Sequence, residues 1–187
     1  EGKTMYGDFF DDASAFDENG IAIAKLDGKY SFLKKDGSFL TSMWFDKCDR
    51  FTRFDCAVVE LDKKQNLLRM DGTFVLDKWV DECSTFQSNG IAIISLNNKD
   101  TYIKTDGSLL INDWFDFCGR FYHEKLACVI KDGKENLVTS EGSYFLDTWF
   151  DHISFQNVRS PHYFIGQNKN DDKFYKISFD GTISQYD

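Results

Sequence analysis

Proline is almost missing from this chain: Pro161 is the single one in 187 residues. With so little proline and so much aromatic surface, a low-complexity or Pro-rich linker is excluded, because the rings require burial. Long apolar runs are missing too, and none approaches the ~20 residues that cross a bilayer, so membrane insertion is not expected. Basic clusters are scarce and the net charge is −9, which argues against nucleic acid as a partner. The five cysteines are odd in number and carry no Cys-X-X-Cys spacing, so neither a disulfide framework nor a metal cage is expected. No Asn-X-Ser/Thr sequon is present. Both observations favour the cytoplasm, although a chain that begins at Glu1 is compatible with a removed leader. Walker, Gly-X-Gly-X-X-Gly and Gly-X-Ser-X-Gly motifs are all absent, and His123-Glu124 lacks the second His of a zincin. No enzymatic activity and no cofactor are therefore expected. A glycosidase would have to assemble a carboxylate pair by folding alone, and no pair stands out.

What the chain does have is aromatic residues in register. Trp44, Trp79, Trp114 and Trp149 lie 35 residues apart, and one further step back falls on Phe9. The next residues keep step as Phe10-Asp11, Phe45-Asp46, Val80-Asp81, Phe115-Asp116 and Phe150-Asp151. Asp36-Gly37, Asp71-Gly72, Asp106-Gly107 and Glu141-Gly142 share the period, as do Ala22, Ala57, Ala92 and Ala127. This is the signature of a tandem array. Units of approximately 1–35, 36–70, 71–105, 106–140 and 141–179 follow, with 180–187 opening a further unit or forming a cap. The last full unit is four residues longer, and the extra length is placed in 158–173. Glu1-Gly2 falls 35 residues before Asp36-Gly37, which suggests a fragment of a longer array.

Within a unit, Ile21–Leu26 and Lys29–Lys34 are short β-rich runs separated by Asp27-Gly28, the combination that specifies a type I′ hairpin. Asp62-Lys63, Asn97-Asn98 and Asp132-Gly133 occupy the same place. A third strand is expected after the second turn, from Ser38 to Leu40, and helical periodicity is absent. One meander cannot bury its own apolar face, so stacked neighbours are expected to share a core containing Ile21, Phe32, Val58, Leu67, Ile91, Ile103 and Val129. The fold class is all-β, an open solenoid-like array of β-meander repeats, with a five-bladed β-propeller as the alternative. A second period, two repeats long, favours the open array. It relates Phe16–Ile23 to Phe86–Ile93 and Arg50-Phe51 to Arg120-Phe121, and a ring of five would force two like units together.

The stretch from Gly20 to Ser38, with the aromatic-Asp element and Phe51 after it, resembles the bacterial WG-repeat family over essentially the whole chain. The literal Trp-Gly pair would fall on Tyr30-Ser31, Gln65-Asn66, Asp100-Thr101 and Glu135-Asn136, so the resemblance is to a divergent member. It implies β-hairpin repeats used as a binding or scaffolding module, with no catalytic residues to carry over.

Candidate sites are weighed against the needs of the fold. The tryptophans could stack sugar rings, together with Tyr122, Tyr144 and Tyr163, but a residue present in every unit more often fills the gap between units. Asp46, Asp81, Asp116 and Asp151 are read as turn acceptors, and Gly37, Gly72, Gly107 and Gly142 as turn residues. Cys48, Cys83 and Cys118 share one position with Ala13 and Ile153 and are read as apolar slots. Arg50, Arg53, Arg120 and His123 flank Phe51 and Phe121 in corresponding connectors and are candidates for partner binding, as are His162 and Tyr163 near the insertion. The expected function is a non-enzymatic scaffold with a protein partner, the alternative being a carbohydrate-binding module.

Overall fold

A computed structural model of the chain describes residues 9–154, 163–169 and 173–186. Glu1, Gly2, Pro161, His162 and much of the 158–173 insertion lie outside the described residues. The protein is all-β, a repeated hairpin array of five small antiparallel sheets. The first contains β1 (Asp12–Ala13), β2 (Ile21–Leu26) and β3 (Lys29–Lys34), and the second β4 (Lys47–Cys48), β5 (Cys56–Leu61) and β6 (Lys64–Arg69). The third contains β7 (Glu82–Cys83), β8 (Ile91–Leu96) and β9 (Lys99–Lys104), and the fourth β10 (Phe117–Cys118), β11 (Leu126–Lys131) and β12 (Lys134–Thr139). The last has four strands: β13 (His152–Ser154), β14 (Tyr163–Asn168), β15 (Lys173–Ser178) and β16 (Ile183–Tyr186).

The hairpins close as the turn chemistry requires. Asp27 and Gly28 have φ of 50° and 76°, Asp62 and Lys63 of 50° and 63°, and Asn97 and Asn98 of 53° and 60°. Positive φ at both central positions defines the type I′ turn, whose twist matches that of its strands. The register across the first hairpin runs from Ile21↔Lys34 to Leu26↔Lys29, and the same pairing recurs in β5–β6 and β11–β12.

The third strand differs from the sequence expectation. After Gly37 the chain makes only a single bridging pair, Leu33↔Phe39, and returns to β3 at Tyr30↔Phe45. The sheet is completed on its other edge by a two-residue strand from the preceding connector, as β4 pairs with β5 through Lys47↔Glu60 and Cys48↔Val59. The cause lies in the middle of β3. Ser31 is fully buried, and its hydroxyl donates to the Met43 carbonyl at 3.0 Å, which holds the connector in an arch instead of a strand. Thr101 does the same to the Asp113 carbonyl at 2.7 Å. Asn66 and Asn136 use their amides on the Leu76 and Leu146 carbonyls, both at 3.0 Å. Each is a buried polar group with its partner satisfied. The hydroxyls reach twelve residues ahead and the amides ten, Asn136 also reaching Thr148 at 3.3 Å, so the alternation of hydroxyl and amide gives the two-repeat period a structural counterpart. Among the described residues, only the last repeat, after Asp180-Gly181, turns this run into a full strand, β16.

The chain divides into two compact units. One comprises Glu1–Phe86, Ile94–Leu96 and Thr105–Gly107, the other Gln87–Ile93, Asn97–Lys104 and Ser108–Asp187. The core of the first gathers Ile21, Phe32, Phe45, Ala57, Val59 and Leu68, with Met43, Leu61, Phe74 and Trp79 packed against it. The second has two clusters, one around Tyr102, Phe115 and Val129, the other around Phe150, Phe164 and Ile177. Each buried aromatic ring of this kind contributes about 1.5–3 kcal/mol.

Successive repeats within a unit meet at the second turn. Gly72 has φ +86°, and a Cβ built on it would lie 2.6 Å from the Leu40 carbonyl oxygen; at Gly107 and Gly142 the approach to the Val75 and Leu110 carbonyls is closer still. Gly133 has φ +72° but open space around it. Alanine at either kind of site meets left-handed backbone strain of about 1–2 kcal/mol. Gly142→Ala must in addition push the neighbouring backbone away. In urea unfolding, Gly142→Ala is expected to lose at least about 1 kcal/mol more than Gly133→Ala. Equal losses would mean that the repeats do not depend on this approach.

The cysteines occupy core positions. Cys56 and Cys118 are buried, while Cys48, Cys83 and Cys128 are half-buried, and all five are free thiols. The position shared by Cys48, Cys83 and Cys118 is exposed at Ala13 and buried at Ile153. Burial pushes the thiols of Cys48, Cys83 and Cys128 up to about 12, and those of Cys56 and Cys118 upward as well. Since the thiolate is the nucleophile, native protein at neutral to mildly basic pH is expected to react with a thiol reagent at least roughly a hundredfold slower than unfolded protein. Rapid labelling of even one native cysteine would contradict this assignment.

Candidate binding surface

The repeated tryptophans are half-buried, and the residue after each one is the buried member: Phe45, Val80, Phe115 and Phe150. Three of the four tryptophans rest against the aromatic residue five positions earlier. Ring centroids are 5.3 Å apart for Phe39–Trp44 and 5.4 Å for both Phe74–Trp79 and Tyr144–Trp149. Trp114 has Leu109 at that position. The same rings meet the previous repeat, at 6.1 Å for Phe10–Phe39, 6.4 Å for Phe45–Phe74 and 6.3 Å for Phe115–Tyr144. All three pairs join equivalent positions of neighbouring repeats. Edge-to-face pairs of this kind add about 0.5–1.5 kcal/mol beyond burial.

The periodic aspartates tie repeats together, three of them by a lysine and a turn N–H. Asp46 accepts from the ammonium of Lys29 in the preceding sheet and, at 2.7 Å, from the backbone N–H of Asp62 in the turn of its own sheet. Asp116 accepts from Lys99 and from the Asp132 N–H at 2.7 Å. Asp151 accepts from Lys134 at 2.6 Å and from the Lys169 N–H at 2.7 Å, and Asp81 accepts from Lys64. The lysine hydrogen bond, followed by the turn N–H, holds the carboxyls of Asp46, Asp116 and Asp151 below their ordinary range. Lys29, Lys64, Lys99 and Lys134 also lie 35 residues apart. Their period was available in the sequence and went unread because lysine on a strand end resembles ordinary surface.

The cationic connectors are different in kind. Arg50 and Arg53 are exposed in one unit, and Arg120 and His123 are exposed in the other. Among the described residues none of the four takes part in a salt bridge, while Lys29, Lys47, Lys64, Lys99, Lys131 and Lys134 all do. The Arg53 guanidinium sits 5.0 Å over the Phe54 ring, and His123 meets Tyr122 with centroids 4.2 Å apart. The adjoining rings are anchored. Phe51 lies 4.9 Å from Phe32, and Phe121 lies 5.1 Å from Tyr102 and donates its N–H to the Gln87 side chain at 3.0 Å. Tyr163 is elsewhere, in β14, with the Lys176 ammonium 4.7 Å over its ring, and His162 is outside the described residues. No group of three or more His, Cys, Asp or Glu among the described residues is placed to hold a metal ion.

None of the curated proteins matches the sequence. Among solved structures, the chain is similar to virginiamycin B lyase from Staphylococcus aureus at 12% identity and a TM-score of 0.35, covering 92% of this chain and 68% of that one. It is also similar to Hsv2 of Kluyveromyces lactis at 11% identity and a TM-score of 0.42, covering 95% of this chain and 63% of that one. At these values neither likeness informs function. The model of the WG containing repeat matches residues 10–30. That match, carried through the rest of the chain by its own 35-residue period, supports assignment of the protein to the WG-repeat family.

Proposed function

We propose that the chain is a non-catalytic repeat module that binds a protein partner, using its cationic connectors to take an acidic segment. The carrying observation is the division of labour among the positive charges. The lysines of the hairpins are committed to neighbouring carboxylates, whereas Arg50, Arg53, Arg120 and His123 stand exposed beside anchored aromatic rings. An exposed guanidinium on a fixed support loses little freedom when it meets a carboxylate, and its planar fork suits bidentate pairing. Trp44 and Trp79 favour this reading over a glycan platform built on all the repeated rings, because each rests against a phenylalanine of its own repeat.

Arg50 and Arg120 are exposed, so reversing their charge should leave the fold intact. Anisotropy of a fluorescent polyglutamate peptide is expected to rise on binding and to weaken with salt. Arg50→Glu and Arg120→Glu should each reduce affinity by roughly tenfold. Failure of the peptide to bind, or binding indifferent to both reversals, would remove the proposal.

A further inference from the structure

One junction carries a bonded polar cluster where the first unit is apolar. In the first unit, Met43, Leu61 and Phe74 pack with Trp79 against the core. The corresponding residues two repeats later are Asp113, Lys131 and Tyr144, beside Trp149. Lys131 stands where Leu26, Leu61 and Leu96 are apolar and Tyr144 where Phe39, Phe74 and Leu109 are, whereas the position of Asp113 is polar at Lys78 and Thr148 as well and apolar only at Met43. The three bond to one another: Lys131 donates to both oxygens of Asp113 at 2.7 and 2.6 Å, and the Tyr144 hydroxyl donates to Asp113 Oδ2 at 2.6 Å. The backbone N–H of Trp114 completes the carboxylate at 2.8 Å. Burial alone would raise the Asp113 carboxyl, but these donors together hold it below its ordinary range.

A partly buried ion pair of this sort stabilises a fold no better than the apolar residues it replaces. Asp113, Lys131, Asp132, Lys134, Tyr144 and Trp149 line a cleft of about 420 Å³, within the range of small-molecule sites. Its lining carries two carboxylates and two ammonium groups and is balanced in charge, so neither an anion nor a cation is preferred. An ammonium has three donors. Lys131 and Lys134 therefore keep N–H groups beyond those given to Asp113 and Asp151, and the Tyr144 oxygen keeps acceptor capacity. One flank is aromatic, formed by the Trp149 and Tyr144 rings 5.4 Å apart.

We propose that this cleft binds an uncharged saccharide of one or two pyranose rings. An apolar sugar face rests on the Trp149–Tyr144 flank, and hydroxyls are held by Lys131, Lys134 and Asp132. The site belongs to one junction and does not depend on the repeated tryptophans as a set or on the cationic connectors.

The test is a titration of the whole chain with glucose, galactose, mannose, N-acetylglucosamine, cellobiose and maltose, read by calorimetry and by saturation-transfer NMR of the sugar protons. The control is the triple variant Asp113→Met, Lys131→Leu, Tyr144→Phe, which restores the set already tolerated two repeats earlier and is expected to fold. At least one neutral sugar should bind saturably to the native chain and lose affinity by roughly tenfold or more in the triple variant. Trp149→Phe should weaken the same sugar while keeping the fold. No saturable binding by any of the six sugars would overturn the proposal, as would equal binding by the triple variant.

Discussion

A sheet of three short strands has too little thickness to cover its own aromatic residues, and the rest of the architecture follows from that shortage. Where the buried residue is Phe45 or Phe115, it meets a ring of the repeat that follows, Phe74 or Tyr144. For those rings to meet, the backbones must also come close. The second turn therefore lies against a carbonyl of the preceding repeat, Gly72 against Leu40 and Gly142 against Leu110. Glycine is required there twice over, by its positive φ and by the missing Cβ. The Lys–Asp pairs work at the rim of the same interface. They are largely solvated, so their worth lies in fixing register more than in energy.

The parts of this arrangement that repeat were legible in the sequence. Asp27-Gly28 and Asp132-Gly133 announce a type I′ turn by residue type, whereas Asp62-Lys63 does so only through its place in the period. Lys63 nevertheless adopts φ 63°, which shows tertiary context overriding local preference. The third strand was misplaced for a physical reason. Ser38–Leu40 has the composition of a strand, but the side chain that prevents one, Ser31, acts from the neighbouring strand on a carbonyl twelve residues ahead of itself. No local pattern reports such a bond.

Legibility at the candidate sites divides the same way. Arg50 and Arg120 could be found because their connectors correspond two repeats apart, and the structure leaves them exposed. Tyr144 was legible as a ring that could stack a sugar, but its partners Asp113 and Lys131 were not, because the bonds that join the three span 18 and 31 residues. Lys131 is the one that breaks an apolar position, held elsewhere by Leu26, Leu61 and Leu96. In a repeat protein the period identifies what the fold needs. A residue that breaks it, as Lys131 does, is where function is to be sought.

The missing Trp-Gly pair is explained by the same accounting of hydrogen bonds. Where the family's Trp would stand, Gln65, Asp100 and Glu135 accept the backbone N–H eighteen residues on, from Cys83 at 2.9 Å, Cys118 at 3.1 Å and Ile153 at 2.7 Å. Where its Gly would stand, Ser31, Asn66, Thr101 and Asn136 are buried and bind connector carbonyls. A glycine has no side chain to offer that carbonyl, so the two substitutions form one device that joins a sheet to the connector leaving it. The device has two versions that alternate along the chain, a hydroxyl on the twelfth residue and an amide on the tenth, with Asn136 also reaching the twelfth, Thr148, at 3.3 Å. A change at one of these buried positions alone would strand a carbonyl without a donor. The polar residue and the arch it holds are therefore constrained to vary together, and this accounts for a chain that keeps its own 35-residue period without the Trp-Gly pair.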